Sequence, residues 1–283
     1  MPHWYLDGKR LEDNDLRLLE ATKAVRAQRK AAGTHGRGAK DEARMKLGAV
    51  PGVTDILKYV GSSEGLLNWC MNIGIDAAIN VNAGAQDPFS TNDDWTFAAK
   101  NLGRAMRALA AERGTELHKA IDLAISMGGS QPSDDHLAQV ACKNVLDLLD
   151  KMELLGKGKP EHGFSINPKT AEYITDVDAG FVHGFGGTID YLVESPERVI
   201  MDWKTIKDKR NPTLVELAQM AAYGKAKFGF GRSFAAYNVY ILQETCEIVD
   251  VKAWSPDQLD MGWNLFALAL EVFHTFVSFE GLN

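Results

Sequence analysis

Residues 185–206 have the sequence FGGTIDYLVESPERVIMDWKTI, and the predicted architecture is built outward from them. Phe185–Glu194 alternates in polarity and is rich in β-forming residues, so it is predicted to be a strand. Residues 195–198 include a proline and predict a turn, and Val199–Ile206 predicts a second strand. The pattern therefore predicts a β-hairpin with acidic residues on both arms.

Three polar side chains of this hairpin form a pattern that suits phosphodiester chemistry. Side chains two apart on a strand share a face, so Asp202 and Lys204 point the same way, and Asp190 on the other arm can approach Asp202. Carboxylates bind Mg²⁺ or Mn²⁺, and an ammonium can orient a water or neutralise developing charge. Gly186 and Gly187 are predicted to let a ligand backbone approach closely. A surface hairpin with scattered charges is the alternative, and the elements around it favour a site.

A helix is predicted after the hairpin, with Thr213 and Glu216 forming a capping box at its start. Its buried face is predicted to consist of Leu214, Leu217, Ala218, Ala221 and Ala222. Gln219 and Tyr223 are four residues apart and therefore lie on one side of this helix. They could hold a nucleotide or support the lysine, although an ordinary amphipathic helix fits the same pattern.

A second helix is predicted at residues 114–127, ahead of a Gly-Gly pair. Its apolar stripe consists of Leu117, Ile121, Ala124 and Ile125. His118 lies at the edge of the stripe, with Asp122 one turn later. A lone histidine at such a position is more often structural. The Gly-Thr pair before it and the downstream acids favour a metal ligand, with Asp122 as its orienting partner.

These clusters resemble the PD-(D/E)XK nuclease superfamily, in its RecB-like exonuclease branch. That branch has a glycine-led helix with a histidine, then Gly-x-x-Asp, then Asp/Glu-x-Lys, then Gln-x-x-x-Tyr. The chain matches these positions with His118, Asp190, Asp202, Lys204, Gln219 and Tyr223. Residues 51–74 are similar to the segment before the histidine helix in phage exonucleases and the mitochondrial genome maintenance exonuclease. The resemblance covers roughly residues 50–255.

The resemblance implies an α/β fold with a restriction-endonuclease-like mixed central sheet flanked by helices. It implies a Mg²⁺- or Mn²⁺-dependent DNA exonuclease that acts in phage or bacterial recombination, replication or repair. Its partners would be single-stranded DNA or duplex ends, with a recombinase or single-strand-binding protein as a further candidate. A structure-specific or restriction-type endonuclease of the same fold is one alternative. A nucleic-acid-binding module without catalysis is the other.

The resemblance also assigns roles to the matched residues. His118, Asp190, Asp202 and the main-chain carbonyl of Trp203 would hold the metal. Lys204 would position the attacking water or stabilise the transition state. The remaining two matched residues are Gln219 and Tyr223. They would order the scissile nucleotide and belong with the catalytic residues.

Cysteine usage argues against an iron–sulfur cluster. Iron–sulfur nucleases of the branch use four cysteines, whereas this chain has three, Cys70, Cys142 and Cys246, which are widely separated. Four thiolates cannot be supplied by three cysteines, so no cluster is expected. Dispersed cysteines also give no disulfide framework, which fits a reducing cytosol. With no membrane-length apolar stretch and no signal-peptide run, a cytoplasmic location without membrane contact is expected, in the host cytoplasm if phage-encoded.

The chain is predicted to comprise an N-terminal basic helical arm and linker, residues 1–49, and a nuclease domain, residues 50–283. Within the arm, a short strand and turn precede a helix at 11–32, and the glycine-rich residues 33–49 are predicted to be a flexible link. The remaining predicted elements are a helix at 134–155, one or two strands within 164–178 with Glu172 as a further candidate acid, strands within 232–252, and a helix from 255 to 279.

The formal net charge of −7 is unfavourable for a DNA enzyme, but its distribution is uneven. Residues 23–46 contain eight basic residues and only two acidic ones. Such an arm could bind a phosphate backbone, and a solvated helix face fits the pattern equally well. The candidate DNA-binding residues are Lys23, Arg26, Arg29, Lys30, Arg37, Lys40, Arg44 and Lys46.

Overall fold

The computed structural model describes residues 3–31, 39–61, 112–128, 135–166 and 183–280. In chain order the elements are β1 (Trp4–Leu6), β2 (Lys9–Arg10), α1 (Leu16–Ala31), α2 (Ala39–Lys46), β3 (Val50–Pro51), α3 (Val53–Gly61), α4 (112–126), α5 (His136–Lys151), β4 (Lys159–Ile166), β5 (Phe185–Val193), β6 (Val199–Ile206), α6 (Leu214–Phe228), β7 (Ala235–Leu242), β8 (Ile248–Trp254) and α7 (Pro256–Glu280). None of the helices in these ranges is both long and apolar enough to cross a membrane.

The main sheet has five strands in the order β4-β5-β6-β7-β8. The β6–β7 pair is parallel and the other three pairs are antiparallel. Because parallel neighbours need a crossover connection, the chain runs through α6 between β6 and β7. The expected α/β class with a mixed sheet flanked by helices is confirmed.

Both faces of the sheet are covered by apolar packing. On β6, Ile200 packs into a core formed with α3, α6 and α7, whereas Met201 and Trp203 pack into a second core formed with α4 and α5. Successive side chains on a strand point to opposite faces, so Asp202 and Lys204 lie on the α6 side with Ile200. These charged groups are therefore held under a helix and need polar partners there.

The helix α6 begins where its sequence predicts. Thr213 accepts a hydrogen bond from the Glu216 N–H, and the Glu216 carboxylate accepts one from the Thr213 N–H, which completes the capping box. The predicted buried face is wrong at one residue, because Leu214 is 62% exposed whereas Leu217 is buried. Leu214 is the first helical residue, and it precedes the turn that packs on the sheet.

The N-terminal segment forms a small three-stranded sheet, β2-β1-β3, with α1 and α2 packed beside it. The expectation of a flexible link is wrong for Ala39–Lys46, which is helical. Asp13 holds this helix in place, because its Oδ1 lies 2.7 Å from Lys40 Nζ and 2.8 Å from an Arg44 guanidinium nitrogen. The tertiary contact orders a stretch in which local composition favours a loop.

The small sheet is joined to the main sheet at β5. Gly52 bridges to Gly186, and the Gly8 N–H donates to Ser165 Oγ at 2.8 Å. A Cβ on Gly186 would meet Tyr5 and the Phe164 carbonyl, at 2.7 and 2.8 Å. The glycines of β5 thus admit other parts of the same chain, which corrects the expectation that they make room for a ligand.

Candidate functional site

The two acids of the hairpin lie at a fork in the sheet. β5 and β6 pair at only three positions, and the Tyr191–Met201 pair is the farthest of these from the turn. Asp190 and Asp202 form the next position of that register. Asp190 spans the fork, since its Oδ2 accepts a hydrogen bond from the Trp203 N–H at 2.7 Å. The predicted hairpin and the approach of its two acids are confirmed.

Burial makes the charge of Asp190 costly. Burial raises the pKa of Asp190 well above its usual range, and the neighbouring Asp202 raises it further. Two carboxylates at one fork repel each other in a poorly solvated space, so Asp190 tends to keep a proton. A positive charge placed beside Asp190 would favour its ionised form.

Lys204 links this fork to α6 through a continuous chain of contacts. Its Nζ lies 2.7 Å from Asp202 Oδ2 and donates to Gln219 Oε1 at 2.8 Å. Gln219 Nε2 in turn lies 2.9 Å from the hydroxyl oxygen of Tyr223. Burial alone would lower the pKa of Lys204, but the charge of Asp202 and their hydrogen bond outweigh it and raise the pKa. Lys204 is therefore a fixed ammonium.

His118 approaches the fork from α4. Its Nδ1 lies 3.7 Å from Asp190 Oδ2, and its side chain is 27% exposed. Burial lowers the pKa of His118, so the neutral ring with a free lone pair is favoured near neutral pH. The main chain of Trp203 lies beside the ring and acts in the opposite direction, raising the pKa of His118. His118, the two acids and the Trp203 main chain are thus brought together.

Asp122 lies one turn after His118 and faces a second acid, Glu161. Both oxygens of Asp122 are buried and receive no hydrogen bond from a donor in the described part of the chain. Burial raises the pKa of Asp122 to about 9, and the neighbouring Glu161 raises it further. Asp122 therefore keeps its proton at neutral pH. Among the described residues Asp122 has no hydrogen bond to His118, and the expected orienting role is not supported.

Glu161 was not anticipated from the sequence. Its neighbours Pro160 and His162 pair with Tyr191 and Ile189, so Glu161 lies opposite Asp190. Its φ of 48° is in the left-handed region, where a non-glycine residue is strained. The predicted strand began at Phe164, whereas β4 begins at Lys159, so the prediction did not include this acid. Glu172, the acid that was considered, lies outside the described residues.

A buried asparagine was also missed. Asn238 on β7 is fully buried, and its Nδ2 donates to Asp202 Oδ2 at 2.8 Å. The available signal was an amide in the otherwise apolar and aromatic strand AAYNVYIL. Buried polar side chains are uncommon without a partner, so such a residue marks a strand that faces a polar site.

The donor set at the fork fits a hard divalent cation. It consists of carboxylate oxygens and one neutral imidazole, and the Asp122 oxygens have no hydrogen-bond donor. Within the described residues, no three histidine, cysteine, aspartate or glutamate side chains already stand in a metal-binding arrangement. Asp202 is neutralised by the Lys204 ammonium instead. The chemistry of the donors therefore suits Mg²⁺ or Mn²⁺, while the side chains would have to close around the ion.

A second network fixes the start of α6 above Lys204. Two guanidinium nitrogens of Arg210 donate to the two oxygens of the Glu216 carboxylate. The Tyr240 hydroxyl donates to Glu216 Oε2 at 3.0 Å, and Arg210 stacks on the Tyr240 ring. Tyr240 is the β7 neighbour of Lys204 in the sheet register. The network thus holds α6, and with it Gln219, against the strand that carries Lys204.

We predict that Glu216→Gln destabilises the fold by about 2–3 kcal/mol at neutral pH, because a carboxylate with several charged or polar donors is lost. Burial alone would raise the pKa of Glu216, but hydrogen bonds from Arg210 and the Thr213 N–H outweigh it and lower the pKa below 4.5. A lowered folded-state pKa gives stability that is present above 4.5 and lost as pH falls through the folded value. Urea unfolding at neutral pH and at strongly acidic pH measures this contribution to stability.

The difference between wild type and Glu216→Gln should therefore shrink in acid. The exposed Glu244→Gln serves as the control and should change stability little at either pH. An equal wild-type advantage at neutral and strongly acidic pH would show that the carboxylate charge contributes nothing.

The basic residues of the N-terminal segment divide into two groups. Lys23, Arg26 and Lys30 are exposed and lie on one face of α1. Arg44 is buried, pairs with Asp13 and stacks over Trp4 at 5.8 Å, so it is a structural group and its predicted phosphate contact is wrong.

The other candidates of the arm differ in their surroundings. Lys40 also contacts Asp13, and Lys46 Nζ donates to Gln28 Oε1 at 2.9 Å, so both help to join α2 to its neighbours. Arg29 is partly exposed on α1, and Arg37 lies outside the described residues.

Two of the three cysteines are described. Cys142 and Cys246 are buried free thiols in the core between the sheet and α5, and Cys70 lies outside the described ranges. No protein-family model matches the chain, and no curated protein matches it. The geometry of the site and the resemblance in its motifs are therefore what indicate a function.

Proposed function

We propose that this chain is a metal-dependent deoxyribonuclease with the restriction-endonuclease-like fold of the PD-(D/E)XK superfamily, and that it acts as an exonuclease. One observation carries the proposal. The contacts run without a break from Asp202 to Lys204, Gln219 and Tyr223, beside the second acid Asp190. These residues belong to separate sequence motifs, and their convergence at one fork supports a common catalytic role.

The proposed metal ligands are His118, Asp190, Asp202 and the main-chain carbonyl of Trp203. Mg²⁺ or Mn²⁺ bound there would supply Lewis-acid chemistry, making a water more acidic and balancing charge on the scissile phosphate. The protein groups are suited to this, because the neutral His118 ring offers a lone pair and the acids gain stability as carboxylates beside a cation.

Lys204 is proposed to act on the substrate as a hydrogen-bond donor and a positive charge. An ammonium has three N–H bonds. Two of them are directed to Asp202 and Gln219, and one remains for a phosphate oxygen or a water. Because its pKa is raised, Lys204 does not serve as a base. It instead stabilises the negative charge that builds on the phosphate during attack.

Gln219 and Tyr223 are proposed to position Lys204. The sequence left open whether they hold a nucleotide or support the lysine. The amide oxygen of Gln219 bonds to Lys204 and its amide nitrogen lies beside the Tyr223 hydroxyl, so both ends of the amide are engaged. Burial raises the pKa of Tyr223 well above its usual value, so the phenol stays protonated. These contacts favour support of Lys204 over direct contact with DNA.

Digestion of end-labelled linear and closed-circular DNA with Mg²⁺ tests the proposal. An exonuclease shortens the linear DNA from its ends and leaves the circle intact. Cutting of the circle would instead favour the structure-specific or restriction-type endonuclease. Binding of DNA without any cleavage at millimolar Mg²⁺ would favour the non-catalytic module. We further propose that the protein acts in the cytoplasm, at DNA ends that arise in recombination, replication or repair.

We predict that reversing the charge of Lys23, Arg26 and Lys30 weakens DNA binding while sparing the chemical step. These exposed residues share one face of α1, so a single strand can contact all three. Loss of three phosphate contacts should make the slope of log K against log salt shallower by roughly two units. Fluorescence anisotropy across a salt series measures the slope, and single-turnover cleavage measures the chemistry.

A matched control reverses Lys143, Lys151 and Lys157, which carry the same total charge and are exposed. If both triple variants change the slope equally, only the net charge of the protein matters. If neither changes it, the exposed face of α1 is a solvated surface, and the strand is held by the site itself.

A further inference from the structure

Asn238 lies between the fork and the edge of the sheet as a fully buried amide. Its Nδ2 donates to Asp202 Oδ2 at 2.8 Å, and its Oδ1 accepts from the indole N–H of Trp254 at 2.7 Å. Asp202, Asn238 and Trp254 are on the adjacent strands β6, β7 and β8, so one hydrogen-bonded line crosses three strands. A buried amide is costly without partners, and here both of its ends are satisfied.

The direction of this amide is fixed by Trp254. An indole N–H can only donate, so it selects the oxygen end of the Asn238 amide. The NH₂ end must then face Asp202, where a carboxylate can only accept. Reversing the amide would set the NH₂ against the indole N–H and the amide oxygen against the carboxylate. Both contacts would be repulsive, so the orientation of Asn238 is determined from two sides.

Asn238 and Lys204 bind the same oxygen of Asp202, Oδ2. Two donors on one oxygen restrain rotation of the carboxylate and direct Oδ1 away from them. A purely structural role would be served by an apolar side chain at position 238, since the strand is otherwise apolar and aromatic. An amide suits this position because its strand neighbour is a buried carboxylate, to which its NH₂ group donates.

We propose that Asn238 is a positioning residue that holds Asp202 in the orientation needed for ligand binding, and that Trp254 acts through Asn238. This role rests on the proposed nuclease function, in which Asp202 is a metal ligand. Partners of ligating residues typically contribute 10- to 100-fold to activity or metal affinity without touching the substrate. Asn238 and Trp254 thereby extend the site from the fork to the far edge of the sheet.

The kinetic test compares Asn238→Leu, Trp254→Phe and the double variant. Asn238→Leu should lower kcat by about 10- to 100-fold and leave the KM for DNA within about twofold. Trp254→Phe keeps a ring but removes the donor, and its loss should be smaller. Because Trp254 acts through Asn238, the double variant should be no worse than Asn238→Leu alone. Tyr237→Phe, on the same strand but the opposite face, is the matched control.

A second measurement is independent of cleavage. The indole ¹H–¹⁵N resonance of Trp254, identified by its loss in Trp254→Phe, should move upfield and exchange faster with solvent in Asn238→Leu. Additive kinetic losses would show that Trp254 does not act through Asn238, and an unchanged kcat with an altered resonance would show that Asn238 is only a structural residue. An unchanged resonance would show that the bond to Trp254 is absent. If wild type cleaves no DNA, the proposed function fails, while the resonance still reports whether the line exists.

Discussion

Asp202→Ala and Lys204→Ala should each lower kcat by at least about a hundredfold while DNA binding stays within a few-fold of wild type. The reason is that both groups act on charge that develops in the transition state. Their mutual distance of 2.7 Å means that each variant also leaves its former partner unpaired. Single-turnover cleavage of a labelled oligonucleotide measures the chemical step, and anisotropy measures binding.

The exposed Lys207→Ala is the matched control, because it removes a positive charge three residues after Lys204 on the same segment. It should leave kcat nearly unchanged. Equal losses of binding and turnover in Lys204→Ala would mean that the ammonium docks DNA and does not act in catalysis. The double variant should lose less than the product of the two single losses, because the residues work as a unit.

Removal of divalent metal should abolish cleavage, which is the other large effect expected. Mg²⁺ and Mn²⁺ should restore activity, and Ca²⁺ should bind without supporting it well, since its longer bonds and looser geometry misplace the water. His118→Ala should weaken metal affinity. High Mn²⁺ should partly rescue this variant, because imidazole suits Mn²⁺ better than Mg²⁺ and its loss is felt less when the ion is in excess.

Titration of activity against each metal at saturating DNA gives the apparent affinities. His136→Ala is the matched control, since this exposed histidine begins α5 and is not among the proposed ligands. An unchanged metal dependence in His118→Ala would show that this histidine does not bind the metal. Full activity after exhaustive chelation would show that cleavage does not require a metal.

The hairpin and the helix after it could be predicted because their signals are local. Strand alternation located Val199–Ile206 at its observed bounds, and the capping box located the start of α6. The hairpin register then followed from a short turn, and it brought Asp190 to Asp202. The same local logic failed at Ala39–Lys46, where a contact with the distant Asp13 outweighs a weak local tendency.

Side-chain environments could not be predicted in the same way. The strand period gives the face on which Lys204 lies, but not which of its neighbours accepts its hydrogen bonds. Arg44 has the composition of a DNA-binding residue and yet is buried against Trp4. Glu161 has no local signal, because its relevance comes from the register between β4 and β5.

Local chemistry thus determined which residue types could form the site and which elements carry them. These follow from periodicity, caps and turns, which act over a few neighbouring residues. The contacts that organise the site were decided only by the tertiary structure. Gln219 meets Lys204 across 15 residues of sequence, and Asn238 meets Asp202 across 36. Such partners are selected by how strands and helices pack, because a buried charge must find its donor wherever the fold brings one.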